Sequence, residues 1–215
     1  MTMLKLNEIA FLNLALDERD FFLLPSLKEI KITPLIAENI YPSLMEKGLL
    51  DQNKALTTEG ADMILRLSQY KSATKYIRIG ALTMGIYKAD RAIIMMVDQF
   101  RQMYYFARVS TEVQMEELCK IYPFLRMENE GDALAEQTIT YQELDRLVHF
   151  KINNAIFLST FDMLEAEKDL KAATVNKILF YYEGNHYCFD HATNMLCEIS
   201  QAQAQTMLKE SMVLR

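Results

Sequence analysis

The hydrophobic and polar positions of this chain change period along its length, and the N-terminal part has helical spacing. Residues 4–16 mix apolar and polar positions in a loose helical stripe. Thr33 followed by Pro34 predicts a helix start, because Thr caps free backbone donors and Pro suits the first helical position. That helix continues to Gly48. Residues 56–60 open a further helix, whose apolar side consists of Met63, Ile64, Leu67 and Tyr70.

The middle of the chain has the pattern of strands. Residues 76–79, 92–97 and 102–109 are apolar, aromatic or β-branched, and such residues suit a half-buried sheet. A polar turn at residues 98–101 separates the last two of these strands. Thr111 with Gln114 then matches a capping box, which predicts a helix start.

A long helix is predicted next. Thr140 and Glu143 match a capping box. From there the pattern predicts a helix to about Ala166, with an apolar face formed by Leu144, Leu147, Val148, Ile152, Ile156, Met163 and Leu164.

The order of elements then repeats. Residues 177–182 and 186–190 predict a hairpin, residues 195–199 extend the sheet, and the Ser200 capping box starts a final helix.

Residues 92–121 and 177–212 thus share a plan of strand, turn, strand and capped helix. This plan predicts an α+β protein of two similar halves, 1–125 and 140–215, joined by an acidic link at 126–139.

Composition and charge narrow the function classes. A chain that is 51% hydrophobic with four prolines and six glycines is globular rather than disordered. Its longest apolar run, residues 92–97, is far below the 20 or so residues of a membrane helix. Glu8 and the lack of an apolar leader argue against a signal peptide, so we expect a cytoplasmic protein. A net charge of −6 without a basic cluster argues against nucleic-acid binding.

Residues that could perform chemistry are few. The chain has no Gly-x-Ser-x-Gly elbow and no phosphate-binding glycine loop. His186 and Cys188 share one strand face, but the sequence offers no group to orient or activate the thiol. With His191 and Cys197 they also form a possible zinc set, although their spacing is irregular. We therefore expect no enzyme activity, no metal and no cofactor.

Residues 40–67 leave an alternative open. A helix ending at Lys47-Gly48, a short turn and a helix start at residues 56–60 are similar to part of a winged-helix regulator. The helix before Gly48 offers Glu38, Asn39, Glu46 and Lys47, which is a poor surface for DNA phosphates.

A broader resemblance covers most of the chain. Residues 45–51, the helix from 56 through Leu67, the strand 76–79, the hairpin 91–109 and the segment 123–125 together resemble the EspG-type chaperones of type VII (ESX) secretion. They are most similar to the EsaE-type relatives from Gram-positive bacteria. The resemblance implies two quasi-symmetric halves with antiparallel sheet and helical bundles. It also implies a cytosolic chaperone that holds a secreted substrate, or its helical-hairpin partner, before delivery to the membrane ATPase.

The resemblance also implies where a partner binds. In the family, contacts involve the loop between the second and third strands and the C-terminal helical part. By position, that loop is residues 84–88 here, and it is shorter than in mycobacterial members. Apolar side chains in a loop suit an interaction hot spot, as does an aromatic residue at a hairpin tip. The predicted partner-binding residues are Met84, Ile86 and Tyr87 of the loop, Phe100 of the first hairpin tip, and Met207, Leu208 and Met212 of the final helix.

Overall fold

The structure, a computed structural model, describes residues 2–16, 20–130, 137–149, 155–162 and 175–213. Within these residues, ten strands form one antiparallel sheet in the order β1-β5-β4-β3-β2-β7-β8-β9-β10-β6. The strands are β1 (Met3–Lys5), β2 (Lys75–Ile79), β3 (Leu82–Lys88), β4 (Arg91–Asp98), β5 (Met103–Ser110), β6 (Gln137–Thr138), β7 (Ala155–Asp162), β8 (Val175–Tyr182), β9 (Asn185–Asp190) and β10 (Met195–Ile199).

Helices cover both faces of this sheet. They are α1 (Leu6–Asn13), α2 (Pro34–Glu46), α3 (Thr58–Lys71), α4 (Thr111–Ile121), α5 (Tyr141–His149) and α6 (Gln201–Ser211). Short 3-10 turns at Leu27–Glu29 and Pro123–Arg126 join some of them. The predicted α+β class is confirmed.

The sheet consists of two four-stranded meanders that meet at its centre. β2 to β5 form the first meander and β7 to β10 the second, and each is followed by a helix. β2 pairs with β7 in antiparallel register, with Ile77 opposite Thr160. A short N-terminal strand closes each outer edge, β1 beside β5 and β6 beside β10. The order of strands is therefore symmetric about the β2–β7 ladder.

Equivalent residues at the two helix starts extend this symmetry to side chains. The Ser110 side chain accepts a hydrogen bond of 3.2 Å from Val113 N–H and caps α4. The Ser200 side chain accepts one of 3.1 Å from Gln203 N–H and caps α6. Eight residues after each cap, Leu118 and Leu208 are buried in the same apolar cluster. We conclude that α4 and α6 are structural counterparts.

Three apolar clusters hold the layers together. One lies under α4 and α6 and joins both meanders through residues such as Ile77 and Leu158. On the opposite face, a second cluster packs α1 to α3 against the first meander, with Tyr76 and Phe106 fully buried. A third and smaller cluster packs Leu144 of α5 against the second meander. The two halves thus share α4 and α6 on one face of the sheet, whereas different helices cover their opposite faces.

A buried carboxylate fastens the N-terminal helices. Glu8 Oε1 accepts hydrogen bonds of 2.6 Å from the Ser43 hydroxyl and from Lys47 Nζ. Glu8 Oε2 accepts one of 2.6 Å from the Lys5 backbone N–H. A buried charge needs this degree of pairing to offset its lost hydration. The ends of α1 and α2 are held together as a result.

Charged side chains join α3 to the outer meander strand. The carboxylate of Asp62 pairs with Arg66 and Arg108. The hydrogen bond from Arg108, helped by Arg66, lowers the pKa of Asp62 below its ordinary value. Arg66 Nη1 also donates to the Phe106 carbonyl at 3.2 Å. Arg66 thus binds a carbonyl of β5 that lies just past Tyr105, the β5 residue that pairs with the first residue of β1.

Several predicted helix starts are confirmed. The Thr33 side chain accepts from Ile36 N–H with Pro34 at the first helical position, and Thr57 caps α3. The predicted Thr140–Glu143 capping box is also formed, with Thr140 N–H donating to the Glu143 carboxylate at 2.8 Å. The Ser200 capping box before α6 is present as well.

Other predictions were wrong. The cap of α4 is Ser110, so Thr111 is its first helical residue and not its cap. The predicted long helix to Ala166 was wrong, because α5 is described only as far as His149 and residues 155–162 form the strand β7. Residues 163–166 lie outside the described residues, as does part of the acidic link. Each meander also has one strand more than predicted, β3 (Leu82–Lys88) in the first and β7 (Ala155–Asp162) in the second, so four described meander strands precede each of α4 and α6.

Candidate interaction surface

The hairpin between β4 and β5 ends in a tip that exposes an aromatic side chain. Residues 98–102 form this Phe100 tip. Asp98 Oδ1 accepts a hydrogen bond of 3.0 Å from the Arg101 N–H, and Gln102 adopts a left-handed conformation with φ of 51°. These two residues shape the turn without help from the residues between them. Phe100 is fully exposed, with a relative exposure of 102%.

A groove of about 610 Å³ lies beside the Phe100 tip. It is formed by the start of α1, the segment around Pro25 and the β4–β5 hairpin. Its size falls within the range of small-ligand and peptide-side-chain pockets. We call it the tip groove; it is lined by Lys5, Leu6, Asn7, Pro25, Ile30, Val97, Gln99, Arg101, Gln102 and Tyr104.

The tip groove carries positive charge. Lys5 and Arg101 are both exposed at it, and none of its described lining residues is acidic. Arg101 Nε lies 3.9 Å from Asp98 Oδ2, which is a loose and solvent-exposed ion pair. The amides of Asn7, Gln99 and Gln102 add hydrogen-bonding groups. An overall acidic chain therefore presents a cationic corner here.

A second tip of the same design joins β9 to β10. Residues 190–194 form this Ala192 tip. Asp190 Oδ1 accepts a hydrogen bond of 2.8 Å from the Ala192 N–H, and Asn194 has a φ of 54°. In both tips an Asp opens the turn, a left-handed amide residue closes it, and a Met follows. Ala192 and Thr193 occupy the places of Phe100 and Arg101.

The structure places the predicted loop residues inside the sheet. Met84, Ile86 and Tyr87 belong to β3, so the prediction of a loop at residues 84–88 was wrong. Met84 and Ile86 are completely buried under α4 and α6, while Tyr87 packs against the cluster under α1 to α3. Neither Met84 nor Ile86 can contact a partner in this conformation.

The predicted residues of the final helix are also mostly internal. Leu208 and Met212 are buried, and Met207 is partly buried against the same cluster. They hold α6 on the sheet instead of lining an open groove. Of the predicted partner-binding residues, Phe100 alone is fully exposed, which agrees with the predicted tip.

The sequence interpretation missed Lys5 and Arg101. Lys5 ends β1, a strand too short to give a pattern, and it reaches the groove only because β1 pairs with β5. A signal for Arg101 was present. Residues 98–103 and 190–195 share the spacing Asp, three residues, Gln or Asn, then Met, and comparing them shows that Phe100 and Arg101 differ from their counterparts.

His186 and Cys188, which the sequence offered for catalysis or metal binding, have structural surroundings. His186 is buried, with Nε2 donating to the Phe124 carbonyl at 2.8 Å and Nδ1 lying 2.7 Å from the Asn129 side chain. Burial lowers the pKa of His186 and raises the pKa of the Cys188 thiol to about 11. A raised thiol pKa is the opposite of what a nucleophile needs. Among the described residues, no three His, Cys, Asp or Glu side chains are grouped to hold a metal ion.

The segment similar to a winged-helix regulator has an acidic surface. Leu50 and Leu56 form a single antiparallel bridge between α2 and α3. Lys47 Nζ is bound to buried Glu8, and Lys54 Nζ lies 2.8 Å from Glu38 Oε1. Both cations are therefore occupied by carboxylates. This arrangement disfavours contact with DNA phosphates.

A family model covers nearly the whole chain. The model described as a domain of unknown function (DUF5081) matches residues 2–214, so the chain belongs to this family. No curated protein matches the chain. Among the described residues, no helix is both long enough and apolar enough to cross a membrane.

Proposed function

We propose that this member of the DUF5081 family is a cytosolic chaperone or adaptor that binds a type VII secretion substrate, or the helical-hairpin partner of that substrate. It delivers the bound protein to the membrane secretion ATPase. The resemblance to EspG-type and EsaE-type chaperones supports the secretion role. The proposed role is binding and not catalysis, and the structural surroundings of His186 and Cys188 support it.

The exposed Phe100 carries the binding part of this proposal. An aromatic side chain buries about 150–250 Å² when it is covered, and full exposure to water is unfavourable for it. The fold does not need it, because the Ala192 tip makes the same turn with Ala at that place. A residue that the fold does not require and that water disfavours is suited to a partner.

The position of Phe100 beside the tip groove strengthens the argument. Its neighbours Gln99 and Arg101 both line the groove. Hot spots combine an aromatic or Arg anchor with an adjacent concave surface. The Phe100 tip and the tip groove together form one candidate contact area.

Co-purification tests the proposal. The tagged protein is co-expressed with the secreted proteins encoded beside it, and complexes are isolated by affinity and size-exclusion chromatography. We expect a stable complex that Phe100→Ala weakens by at least about tenfold. Ile121→Ala, which removes another exposed apolar side chain that does not line the tip groove, is the matched control and leaves the complex unchanged.

The alternative is a DNA-binding regulator. A protein that forms no complex but binds duplex DNA with a steep salt dependence would support the regulator and exclude the chaperone. A complex that is equally stable with Phe100→Ala would keep the adaptor role and remove the Phe100 tip from its contact area.

A further inference from the structure

We infer that the tip groove binds an acidic protein segment that also carries a large apolar side chain. This inference rests on the proposed binding function and specifies the chemistry of the partner. It depends on the charges of the groove, on its apolar surface and on its comparison with the equivalent corner of the second meander.

Charge complementarity selects an acidic segment. Lys5 and Arg101 contribute two positive charges, no carboxylate lines the described groove itself, and the neighbouring Asp98 forms only a loose ion pair of 3.9 Å with Arg101. The whole chain has a net charge of −6, so most of its surface repels an acidic partner. A cationic corner on such a surface directs an acidic segment to one place.

The apolar surface of the groove favours the large apolar side chain of the partner segment. Leu6, Ile30 and Val97 are partly exposed there and Pro25 is exposed, while Tyr104 is largely buried at the groove. Covering such surface with an aliphatic or aromatic side chain gains about 25 cal/mol for each Å² removed from water. Phe100 lies between Gln99 and Arg101, which both line the groove.

The equivalent corner shows that the fold does not require these charges. Lys5 is the β1 residue opposite Met103 of β5, and Thr138 is the β6 residue opposite Met195 of β10. Arg101 likewise corresponds to Thr193 of the Ala192 tip. Both cations of the first corner are thus replaced by threonine at the second. The charges belong to the recognition surface and not to the architecture.

Peptide display tests the inference. A library of short random peptides is selected on the immobilised full chain, and enriched peptides are synthesised and measured by fluorescence anisotropy. We expect enriched peptides with a net negative charge and a large apolar residue. Arg101→Glu is expected to weaken their binding by about tenfold or more, because it replaces a charge-assisted hydrogen bond with repulsion. Binding also weakens as salt is raised.

Matched variants separate this site from general charge effects. Thr193→Glu adds the same negative charge at the Ala192 tip and leaves binding unchanged. Phe100→Ala is expected to weaken binding of the same peptides whose binding Arg101→Glu weakens. Enrichment of neutral or basic peptides, no enrichment at all, or equal binding by the Arg101→Glu variant would overturn the inference.

Two further outcomes keep the inference separate from the proposed function. A stable complex with a secreted partner that resists both Arg101→Glu and high salt would overturn the acidic segment while the adaptor function stands. Binding of a single-stranded oligonucleotide that competes with the peptides and is lost in Arg101→Glu would assign the corner to nucleic acid instead.

Discussion

The Phe100 tip and the Ala192 tip are two versions of one turn, and their difference separates what the fold needs from what it leaves free. Each begins with an Asp whose side chain accepts a backbone N–H, and each ends with a left-handed Gln or Asn. Of the three residues between these positions, the second and third differ most in size and charge: Phe100 and Arg101 at one tip, Ala192 and Thr193 at the other. Since the turn forms with Ala192 and Thr193, the aromatic ring and the cation at the first tip serve another purpose.

The two meanders differ in a second way. They share the cover formed by α4 and α6, but three helices cover the opposite face of the first meander. The second meander is covered there by α5, within the described residues. Of these added helices, α1 supplies Leu6 and Asn7 to the tip groove, and β1 just before it supplies Lys5. The half with the thicker cover is therefore the half that holds the candidate contact area.

The largest expected effect tests whether α4 and α6 are equivalent. Leu118→Ala and Leu208→Ala each remove a buried side chain from the same cluster. Each should lower the free energy of unfolding by about 3 kcal/mol. Urea denaturation measures both, with exposed Ile121→Ala as a control that costs less than about 0.5 kcal/mol. Costs that differ by more than about 2 kcal/mol would show that the two helices pack differently.

A pH-dependent effect that sets in just below neutral pH should come from His186 of the second meander. Burial lowers the pKa of His186 below its ordinary value of 6.5, and its counterpart in β4 is apolar Ile94. Below about pH 6.5 the unfolded chain therefore binds a proton that the folded chain does not. Stability falls as the pH is lowered through this window, by at most about 1.4 kcal/mol for each pH unit.

His186→Gln isolates this contribution, because Gln keeps a donor but binds no proton. Urea denaturation at several pH values should show a flatter dependence for the variant than for the original chain. Identical slopes would mean that His186 does not contribute to the loss of stability in acid.

The two helix caps should have similar and smaller effects. Ser110→Ala and Ser200→Ala each remove one accepted backbone hydrogen bond. Each should lower the free energy of unfolding by about 1 kcal/mol. Thr111→Ala is the control, because Thr111 follows the cap of α4 and accepts no capping bond there. A larger loss of unfolding free energy for Thr111→Ala than for Ser110→Ala would show that Thr111, and not Ser110, caps α4.

The smallest effect compares the residues that close the two tips. Gln102 and Asn194 both have positive φ, and Asn tolerates this conformation better than Gln. Gln102→Gly should therefore raise the midpoint of thermal unfolding relative to Asn194→Gly, by a free energy of about 0.5 kcal/mol. An equal response of both variants would mean that Gln102 is not strained.

Local signals were sufficient for much of the fold. Thr33, Thr57, Thr140 and Ser200 were visible as helix starts because capping depends on a few neighbouring residues. The strands at β4, β5, β8 and β9 were visible from apolar and aromatic runs. These elements depend on chemistry that lies within a short stretch of chain.

The missed strands depend on distant contacts. Gly85 interrupts the strand pattern of β3, but a Cβ there would lie 3.0 Å from the Ala73 Cβ and 3.1 Å from the Tyr76 ring. The glycine allows this close packing, which the sequence does not reveal. Ile156 of β7 matched the helical spacing that begins at Leu144, so the pattern concealed the change to a strand. The tip groove was missed for a similar reason, since β1 brings Lys5 to it from the other end of the half.

The ladder between β2 and β7 has a consequence for the order in which the chain folds. The strands from β2 to β5 and from β8 to β10 are joined by short connections, whereas Ile77 and Thr160 are far apart in sequence. Closing a long loop loses entropy before its contacts form. We therefore expect the two meanders to form first and to dock along β2 and β7 afterwards. Until they dock, each presents an open apolar edge, and that interval is when a newly made chain is most exposed to aggregation.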